Sequence, residues 1–331
     1  MHGVSRLRLL VMGTGPFAVP MLAAVLRSRH EIVAVVTRPD HAPPGRRPAP
    51  NPVRAAATAA GLALLDPERV NAPAACATIA AHAADLFVVC DYGQILSADL
   101  LAVPRLGAIN LHGSLLPRHR GAAPVQWAIL GGDPISGVSV IRMTPALDAG
   151  NVLVTRSTPI GADETAPQLE ERLAALGADA VPEAIDLIEA AVAAGRPLDR
   201  LGVPQDAARA TRAPRLTKSD GVVDWSRPAV QIERMRRALE PWPRTTTTFT
   251  RADGRVQRLV LEELAIAPGA NVPPDTSAPG TVQATDGGRI RVACGAGTAV
   301  EIRRLVPEGS RSMTAAEFLR GSPLRPGVRL G

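Results

Sequence analysis

The sequence predicts an α/β protein of two domains, a Rossmann-like N-terminal domain with a parallel sheet and a smaller, OB-like C-terminal β-barrel. Short apolar runs alternate with alanine-rich stretches of helical spacing through the first half of the chain, which is the pattern of βαβ units. Short strand-like runs separated by Gly- or Pro-containing turns fill the second half, and this pattern is typical of a small barrel. The length of 331 residues also favours two domains.

The predicted strands of the first half are apolar throughout, as expected for a parallel sheet that helices cover on both faces. They span residues 7–12, 32–36, 86–90 and 108–112, with helices near 17–26, 71–84 and 122–130. Residues 138–143 and 152–158 predict two more strands. A long helix over 164–194 that contains Pro182 follows, and Gly195 and Pro197 end it, since both residue types terminate helices.

These elements place the first domain at residues 1–194, a linker at 195–210 and the C-terminal domain at 211–331. Helical spacing predicts a helix over 229–239 in the C-terminal domain. The predicted strands of the barrel span residues 245–250, 255–264, 280–284, 289–293 and 299–305.

The composition is that of a globular protein, with 46% hydrophobic and 21% charged residues, and it does not indicate disorder. The three cysteines, Cys76, Cys90 and Cys294, are far apart and form no C-x-x-C pair, so neither a disulfide framework nor a zinc ribbon is indicated. No apolar run reaches the roughly 18 residues of a membrane span, and the N-terminus has no signal-peptide pattern. We therefore expect a cytoplasmic protein without a membrane partner. A monomer is a separate expectation that these observations do not test.

Positive charge is concentrated in the C-terminal part of the chain. Residues 1–205 carry 17 basic and 18 acidic side chains, whereas residues 206–331 carry 20 and 13, and the whole chain has a net charge of +6. A phosphate backbone binds such a surface because neutralised phosphates release counterions. The pattern indicates a nucleic-acid partner, and codon bias towards arginine is the alternative explanation.

A glycine-rich turn follows the first predicted strand. Residues 13–18, Gly-Thr-Gly-Pro-Phe-Ala, open a helix, as a dinucleotide-binding fingerprint does. The second strand ends in Thr37-Arg38 rather than in the acidic residue that holds the ribose of NAD. Arg38 suits the 2′-phosphate of NADP. An NADP site and a turn that needs glycine only for its backbone shape are therefore the two interpretations.

Asn110 and His112 end the fourth predicted strand. Side chains two residues apart on a strand point to the same face, and open α/β sheets bind ligands at the carboxyl ends of their strands. Asp148 lies in a loop after a neighbouring strand, where its carboxylate is expected to orient the imidazole and stabilise its charged form. Asn110 and His112 are then two donors for one oxyanion. A packed core histidine is the alternative, and the absence of a second ligand at metal-binding spacing predicts no metal site.

The motif Asn110-x-His112-x-Ser-Leu-Leu-Pro, followed by Arg-Gly at 120–121 and by Asp148-x-Gly150, resembles the folate-dependent formyltransferases. The likeness covers nearly the whole chain. Trp225 and the Pro-Trp-Pro run at 241–243 are typical of the branch that acts on methionyl-tRNA. The stretches that carry the resemblance are residues 13–18, 91–96, 110–126, 137–150, 216–221, 224–229 and 237–243.

This resemblance implies transfer of a formyl group from 10-formyltetrahydrofolate, the co-substrate, to the α-amine of initiator methionyl-tRNA for translation initiation. It implies that Asn110, His112 and Asp148 are the catalytic residues. The residues implied to contact the folate are Ser114, Leu115, Leu116 and Pro117, and the loop residues Gln94, Ile95 and Leu96.

The resemblance also implies that Arg46 and Arg47, at the tip of the loop 40–50, reach the acceptor stem of the tRNA. The loop departs from the family pattern, because Pro48 and Pro50 replace the lysines expected after the arginines. Prolines stiffen the loop and lower its charge. A second departure is Gly15-Pro16 in the glycine-rich turn, where Pro followed by a polar residue is more usual.

Three other functions fit parts of the sequence. A formyltransferase that acts on a sugar-nucleotide amine has the same core but gives the basic C-terminal part no purpose. An NADP-dependent oxidoreductase uses the turn at 13–18. A non-catalytic RNA-binding module leaves Asn110, His112 and Asp148 without a joint role.

Overall fold

The structure is a computed structural model that describes residues 6–40, 51–251, 253–268, 277–285, 287–321 and 324–331. The chain forms two compact units. The first comprises Met1–Val125, Ile135–Pro159 and Gln168–Pro214, and the second comprises Gln126–Pro134, Ile160–Pro167 and Arg215–Gly331. The predicted linker, residues 195–210, thus falls within the first unit. The domain limits at 194 and 211 stay a prediction.

A seven-stranded sheet forms the centre of the first unit. The strands of this unit are β1 (Arg8–Met12), β2 (Glu31–Val36), β3 (Leu64–Leu65), β4 (Leu86–Val89), β5 (Ala108–His112), β6 (Arg120–Gly121), β7 (Ile135–Arg142), β8 (Val152–Pro159) and β9 (Arg212–Ala213). The sheet order is β3-β2-β1-β4-β5-β7-β8, and β6 pairs separately with β9. The strands from β3 to β5 are parallel, whereas β7 is antiparallel to β5 and β8. The predicted parallel-sheet domain is confirmed, with an antiparallel edge that the sequence did not indicate.

The helices that follow these strands are α1 (Ala18–Arg27), α2 (Pro52–Ala59), α3 (Pro73–Ala81), α4 (Ala98–Leu101), α5 (Pro124–Gly131) and α6 (Ala166–Ala193). Side-chain caps fix two helix starts that the sequence analysis did not predict. The Asn51 amide oxygen accepts the Arg54 N–H at 3.0 Å to begin α2, and the Ser97 hydroxyl accepts the Leu100 N–H at 3.3 Å to begin α4. The predicted long helix is present and continues through Pro182.

The central strands of this sheet are buried on both faces. Leu9, Leu10, Val11 and Met12 of β1 are all 0% exposed. Since successive side chains of a strand point to opposite faces, both faces of the sheet are covered. Burial on both faces therefore explains why these strands are continuous apolar runs in the sequence, as expected.

The second unit is built on an antiparallel sheet. Its elements are α7 (Ala229–Ala238), β10 (Thr246–Thr250), β11 (Val256–Ile266), β12 (Val282–Ala284), β13 (Ile290–Ala293), β14 (Ala299–Pro307), β15 (Met313–Thr314) and α8 (Ala315–Gly321). The sheet order is β10-β11-β14-β13-β12, with β15 paired to β14. Short 3-10 helices at Leu198–Arg200 and Ala207–Arg209 in the first unit, and at Lys218–Gly221 in the second, complete the described elements.

The last residues of the chain close this second sheet into a barrel. Leu330 pairs with Phe249 at the β10 edge, and Arg329 pairs with Thr281 beside β12. Trp225 is 5% exposed and packs in the core of the unit, where its Nε1 donates to the Thr247 hydroxyl at 3.1 Å.

Within the described parts of the chain, none of the helices has both the length and the apolar character required to cross a membrane.

Candidate active site

β5 carries the two polar residues of the sequence motif. Asn110 and His112 are two positions apart on this strand, so their side chains project from the same face. β5 pairs with β4 on one side and with β7 on the other, where His112 lies opposite Ser139. His112 is 6% exposed, and Asn110 is half-buried. The strand therefore places an amide and an imidazole side by side at the carboxyl end of β5.

A backbone carbonyl holds the imidazole of His112. Its Nε2 lies 2.9 Å from the carbonyl oxygen of His119. A carbonyl oxygen only accepts hydrogen bonds, so Nε2 carries a proton and donates it. The other ring nitrogen, Nδ1, lies 3.7 Å from Oδ2 of Asp148. Nδ1 therefore donates only when the ring is positively charged, and it accepts when the ring is neutral.

Asp148 faces His112 from the loop between β7 and β8. Its side chain is 9% exposed, and its Oδ2 accepts the N–H of Gly121 at 2.9 Å. Gly150 allows the loop to return closely to β7, because a Cβ at this position would lie 1.8 Å from the carbonyl oxygen of Arg142. The glycine of the Asp-x-Gly motif thus lets the loop pack closely enough to bring the carboxylate near the imidazole.

The structure brings the three predicted catalytic residues together, but it holds the ring differently from the prediction. At 3.7 Å, Asp148 is beyond hydrogen-bond distance of His112. The shorter contact is that of the His119 carbonyl. The sequence does not predict the contacts of the His119 carbonyl and the Gly121 N–H, because a backbone group leaves no mark in residue type. The Arg-Gly pair at 120–121 is the available signal.

Two further residues that the sequence analysis did not single out contact the same group. Gln205 Nε2 donates to the carbonyl oxygens of Asp148 and Gly150, each at 2.8 Å. The hydroxyl of Thr211 accepts the N–H of His119 at 2.8 Å. Neither residue belongs to a motif that the sequence analysis used.

Among the described residues, one group of His and acidic side chains is compact enough for a metal ion: His30, Asp186 and Glu189. Its geometry does not fit a metal. His30 Nδ1 accepts the N–H of Leu7 at 3.3 Å, so a metal on Nε2 would leave the ring without any proton. Arg29 also pairs with both carboxylates. The group is an ion-pair network around Arg29.

Known protein families match both parts of the chain. The formyl transferase family matches residues 5–185, and the formyl transferase C-terminal domain matches residues 215–323. The chain belongs to the formyl transferase family. Methionyl-tRNA formyltransferase of Rhodopirellula baltica is 43% identical, over 98% of this chain and 96% of that protein. The protein of the same name from Gluconobacter oxydans is 42% identical, over 98% of this chain and 100% of that protein. The family resemblance of the sequence motifs is confirmed.

Solved structures of low sequence identity share the fold of this formyl transferase. WlaRD, a sugar 3N-formyl transferase solved in the presence of dTDP and 5-N-formyl-THF, aligns with a TM-score of 0.61 at 14% identity, over 90% of this chain and 97% of that one. HypX from Aquifex aeolicus in complex with tetrahydrofolic acid aligns with a TM-score of 0.58 at 17% identity, over 95% of this chain and 47% of HypX. The chain thus spans about half the length of HypX.

The predicted folate-binding turn of the formyl transferase follows β5. Ser114 is 1% exposed, and its hydroxyl donates to the carbonyl oxygen of Arg118 at 2.7 Å. Leu115, Leu116 and Pro117 are half-buried. The Ser114 hydroxyl therefore shapes the turn, and the three apolar residues are the ones that keep surface for a ligand. Their contact with folate stays a prediction.

The second predicted folate loop presents one apolar side chain to solvent. Gln94 is used internally, since its Oε1 accepts the Val70 N–H at 3.0 Å and its Nε2 donates to the Pro67 carbonyl at 3.2 Å. Leu96 is 5% exposed, whereas Ile95 is 72% exposed. Ile95 is thus the residue of this loop with surface available for a ligand. Arg46 and Arg47, the predicted tRNA contacts, lie outside the described residues.

The glycine-rich turn at 13–15 packs against a carboxylate. Thr14 N–H donates to the carbonyl of Asp91 at 3.0 Å, and a Cβ on Gly15 would lie 1.8 Å from Oδ2 of Asp91. A side chain at position 15 would therefore displace the Asp91 carboxylate. Although Asp91 as a whole is exposed, loss of solvation at the carboxylate raises its pKa to about 6, and a bond from the Gly15 N–H partly offsets this. Negative charge here opposes a pyrophosphate, which argues against the NADP interpretation.

Asp91→Asn is expected to raise the free energy of unfolding at pH 7.5, with a gain that shrinks towards pH 4. The pKa of this carboxyl is raised to about 6 in the folded protein, so folding takes up a proton between about pH 4 and 6 and stability falls as pH rises through that window. Asparagine keeps an acceptor for Gly15 and removes the charge. After a discount for partial exposure, we expect a gain of about 1 kcal/mol above pH 6.

Urea unfolding of wild type and Asp91→Asn at several pH values measures this effect. The matched control is Asp179→Asn, a change at an exposed position of α6. A gain of equal size at every pH would show that the ionisation of Asp91 is not its cause.

Proposed function

We propose that this formyl transferase moves the formyl group of 10-formyltetrahydrofolate to the α-amine of methionyl initiator tRNA in translation initiation. The observation that carries the proposal is the set of relatives named methionyl-tRNA formyltransferase. They are 38–43% identical over 95–98% of this chain, so both the catalytic half and the basic C-terminal half are included. The sugar formyl transferases support the fold alone, at 14–17% identity.

The chemistry begins when the neutral amine of the methionyl ester attacks the formyl carbon of the donor. A new C–N bond forms, the carbonyl oxygen becomes negatively charged, and the bond from carbon to N10 of the folate then breaks. The attacking nitrogen loses one proton, and N10 gains one as it leaves. No covalent enzyme intermediate is required, since the amine is itself the nucleophile.

Asn110 and His112 are the proposed donors to this oxyanion. The Asn110 amide makes no side-chain hydrogen bond with the described residues, and it is half-buried, so its N–H groups are available. His112 Nε2 is already committed to the His119 carbonyl, which leaves Nδ1 as the nitrogen that faces the reaction. Each such donor contributes about 2.7–4 kcal/mol to transition-state stability in other enzymes.

Asp148 has two proposed tasks that follow from its position. Its carboxylate lies 3.7 Å from Nδ1, where it attracts the positive charge of the ring when Nδ1 carries the proton that it donates. The same carboxylate accepts the proton that the amine releases, directly or through a water molecule. Because Oδ2 is already bonded to the Gly121 N–H, the carboxylate has a fixed orientation for both tasks.

Formylation of charged tRNA tests the proposed function. The purified protein is incubated with 10-formyltetrahydrofolate and either initiator or elongator methionyl-tRNA, and a parallel reaction omits the donor. We expect donor-dependent formylation that strongly prefers the initiator. Formylation of an amino sugar nucleotide, with no formylation of either tRNA, would contradict the proposal.

Binding of the tRNA is expected to weaken steeply with salt. Residues 206–331 carry 20 basic and 13 acidic side chains, and each phosphate that they neutralise releases counterions. The Kd should rise by about tenfold or more between about 50 and 200 mM salt, as two or more phosphate contacts require. Filter binding at four salt concentrations measures the slope, and a flat profile would contradict the electrostatic contribution.

A further inference from the structure

The segment between the two matched family regions reaches the catalytic group. The formyl transferase family ends its match at residue 185, and the C-terminal domain begins its match at residue 215. Residues 203–213, which we call the docked segment, lie between these limits. Val203 pairs with Val152 of β8, and Arg212 and Ala213 form β9 beside β6. The docked segment is therefore fixed to the first unit at both of its ends.

Between these ends, the side-chain amide of Gln205 bonds the loop that carries Asp148 with its nitrogen and Arg120 of β6 with its oxygen. Its Nε2 donates to the carbonyl oxygens of Asp148 and Gly150, each at 2.8 Å. Its Oε1 accepts from Arg120 Nε at 3.1 Å and from Arg120 Nη2 at 2.7 Å. One side chain thus joins the Asp148 loop to the strand β6, whose Gly121 N–H binds the Asp148 carboxylate.

The Asp148 loop needs such support. The backbone of Asp148 has φ 52°, in the left-handed region that a residue with a side chain occupies only when its surroundings hold it there. Two carbonyl oxygens of the loop, those of Asp148 and Gly150, share the Gln205 amide as donor. Without the Gln205 amide, these bonds are lost, and the carboxylate gains freedom to move relative to His112.

We propose that Gln205 is a positioning residue for formyl transfer, which sets the distance between the Asp148 carboxylate and the His112 ring. The inference rests on the proposed function, because it assumes that Asp148 and His112 act together in catalysis. Gln205 itself contacts neither ring nitrogen and takes no part in bond making. Its effect on the reaction passes through Asp148.

A double-mutant cycle separates positioning from general structural support. Gln205→Ala should lower the single-turnover rate ten- to thirtyfold while changing the KM for tRNA less than twofold. In an Asp148→Asn background the same change should cost less than threefold, because the carboxylate that it positions is already absent. Equal losses in both backgrounds would overturn the proposal. Gln231→Ala, at an exposed position of α7, is the matched control.

Gln205→Glu separates the role of the amide nitrogen, which bonds the Asp148 loop, from that of the amide oxygen, which bonds Arg120. Glutamate keeps an acceptor for Arg120 and loses both donors to the Asp148 loop. If positioning of Asp148 is the role, this variant should be as slow as Gln205→Ala. A rate close to that of wild type would assign the effect to Arg120 and overturn the proposal. The variant also keeps an oxygen that accepts the hydrogen bonds of Arg120, so it serves where the alanine variant fails to fold.

A spectroscopic readout makes the test independent of the tRNA substrate. In protein with ¹⁵N-labelled histidine, the ring nitrogen shifts of His112 report its protonation and tautomer as a function of pH. Gln205→Ala should change the His112 titration in the same direction as Asp148→Asn does, and Gln231→Ala should not. An unchanged titration in Gln205→Ala would overturn the positioning role. A wild-type protein that formylates no tRNA would instead overturn the proposed function.

Discussion

Replacement of His112 by alanine is expected to slow single-turnover formyl transfer at least a hundredfold, and Asn110→Ala should act similarly. Each variant removes one donor from the oxyanion, and the loss of one such donor costs about 2.7–4 kcal/mol, or roughly 10²–10³ in rate, in other enzymes. His112→Ala also leaves the Asp148 carboxylate without the ring beside it. His112 is 6% exposed and lies in the strand β5, so its loss also lowers stability.

The rates are measured with enzyme in excess over charged initiator tRNA, so that product release does not contribute. His82→Ala is the matched control, because His82 follows the last residue of α3 and its described hydrogen bonds, with Ile79 and Arg8, use only its backbone. Thermal unfolding of each variant identifies loss of fold. A loss below about tenfold, which equals about 1.4 kcal/mol, would remove the residue concerned from the oxyanion role.

Gly150→Ala is expected to be the most damaging conservative change in the Asp148 loop. The added Cβ would lie 1.8 Å from the carbonyl oxygen of Arg142 and 2.9 Å from its carbon. These are backbone atoms of β7, so the loop rather than a flexible side chain has to move. We expect a loss of about 3 kcal/mol in unfolding free energy and a fall in Tm of about 5–10 °C.

The same change should slow formyl transfer more than tenfold in the fraction that stays folded, because Asp148 is two residues away and moves with the loop. Gly131→Ala is the matched control: its added Cβ would meet only the Asp133 carboxylate at 3.6 Å, an ordinary contact. Circular dichroism melts and single-turnover rates of both variants provide the measurements. A Gly150→Ala protein with wild-type stability and rate would show that the loop tolerates the displacement.

The N-terminal sheet shows which parts of the fold the local sequence pattern predicts. The predicted strand at 108–112 matches β5 residue for residue, because a fully buried strand has a continuous apolar run. The antiparallel direction of β7 was not predicted, since a run of apolar residues looks the same for a parallel and an antiparallel strand. Helix α2 was missed because its eight residues carry few repeats of the helical spacing, and because the sequence before its cap, Asn51, is rich in proline. In the C-terminal half, strands β10 to β14 were predicted, but β15 and the closure by residues 329–330 were not.

The candidate site, like the fold, has some features that the sequence predicts and others that only the tertiary structure determines. The sequence by itself determined that Asn110 and His112 share a face, because strand periodicity is a local property of the backbone, and that a glycine follows Asp148 two positions on. Only the tertiary structure decided that His119 holds the ring and that Gln205 and Thr211 hold its partners. Gln205 is 57 residues from Asp148 and Thr211 is 92 residues from His119. Hydrogen bonds to backbone groups at such separations depend on how the chain packs, and packing leaves no periodic signal in the order of the residues.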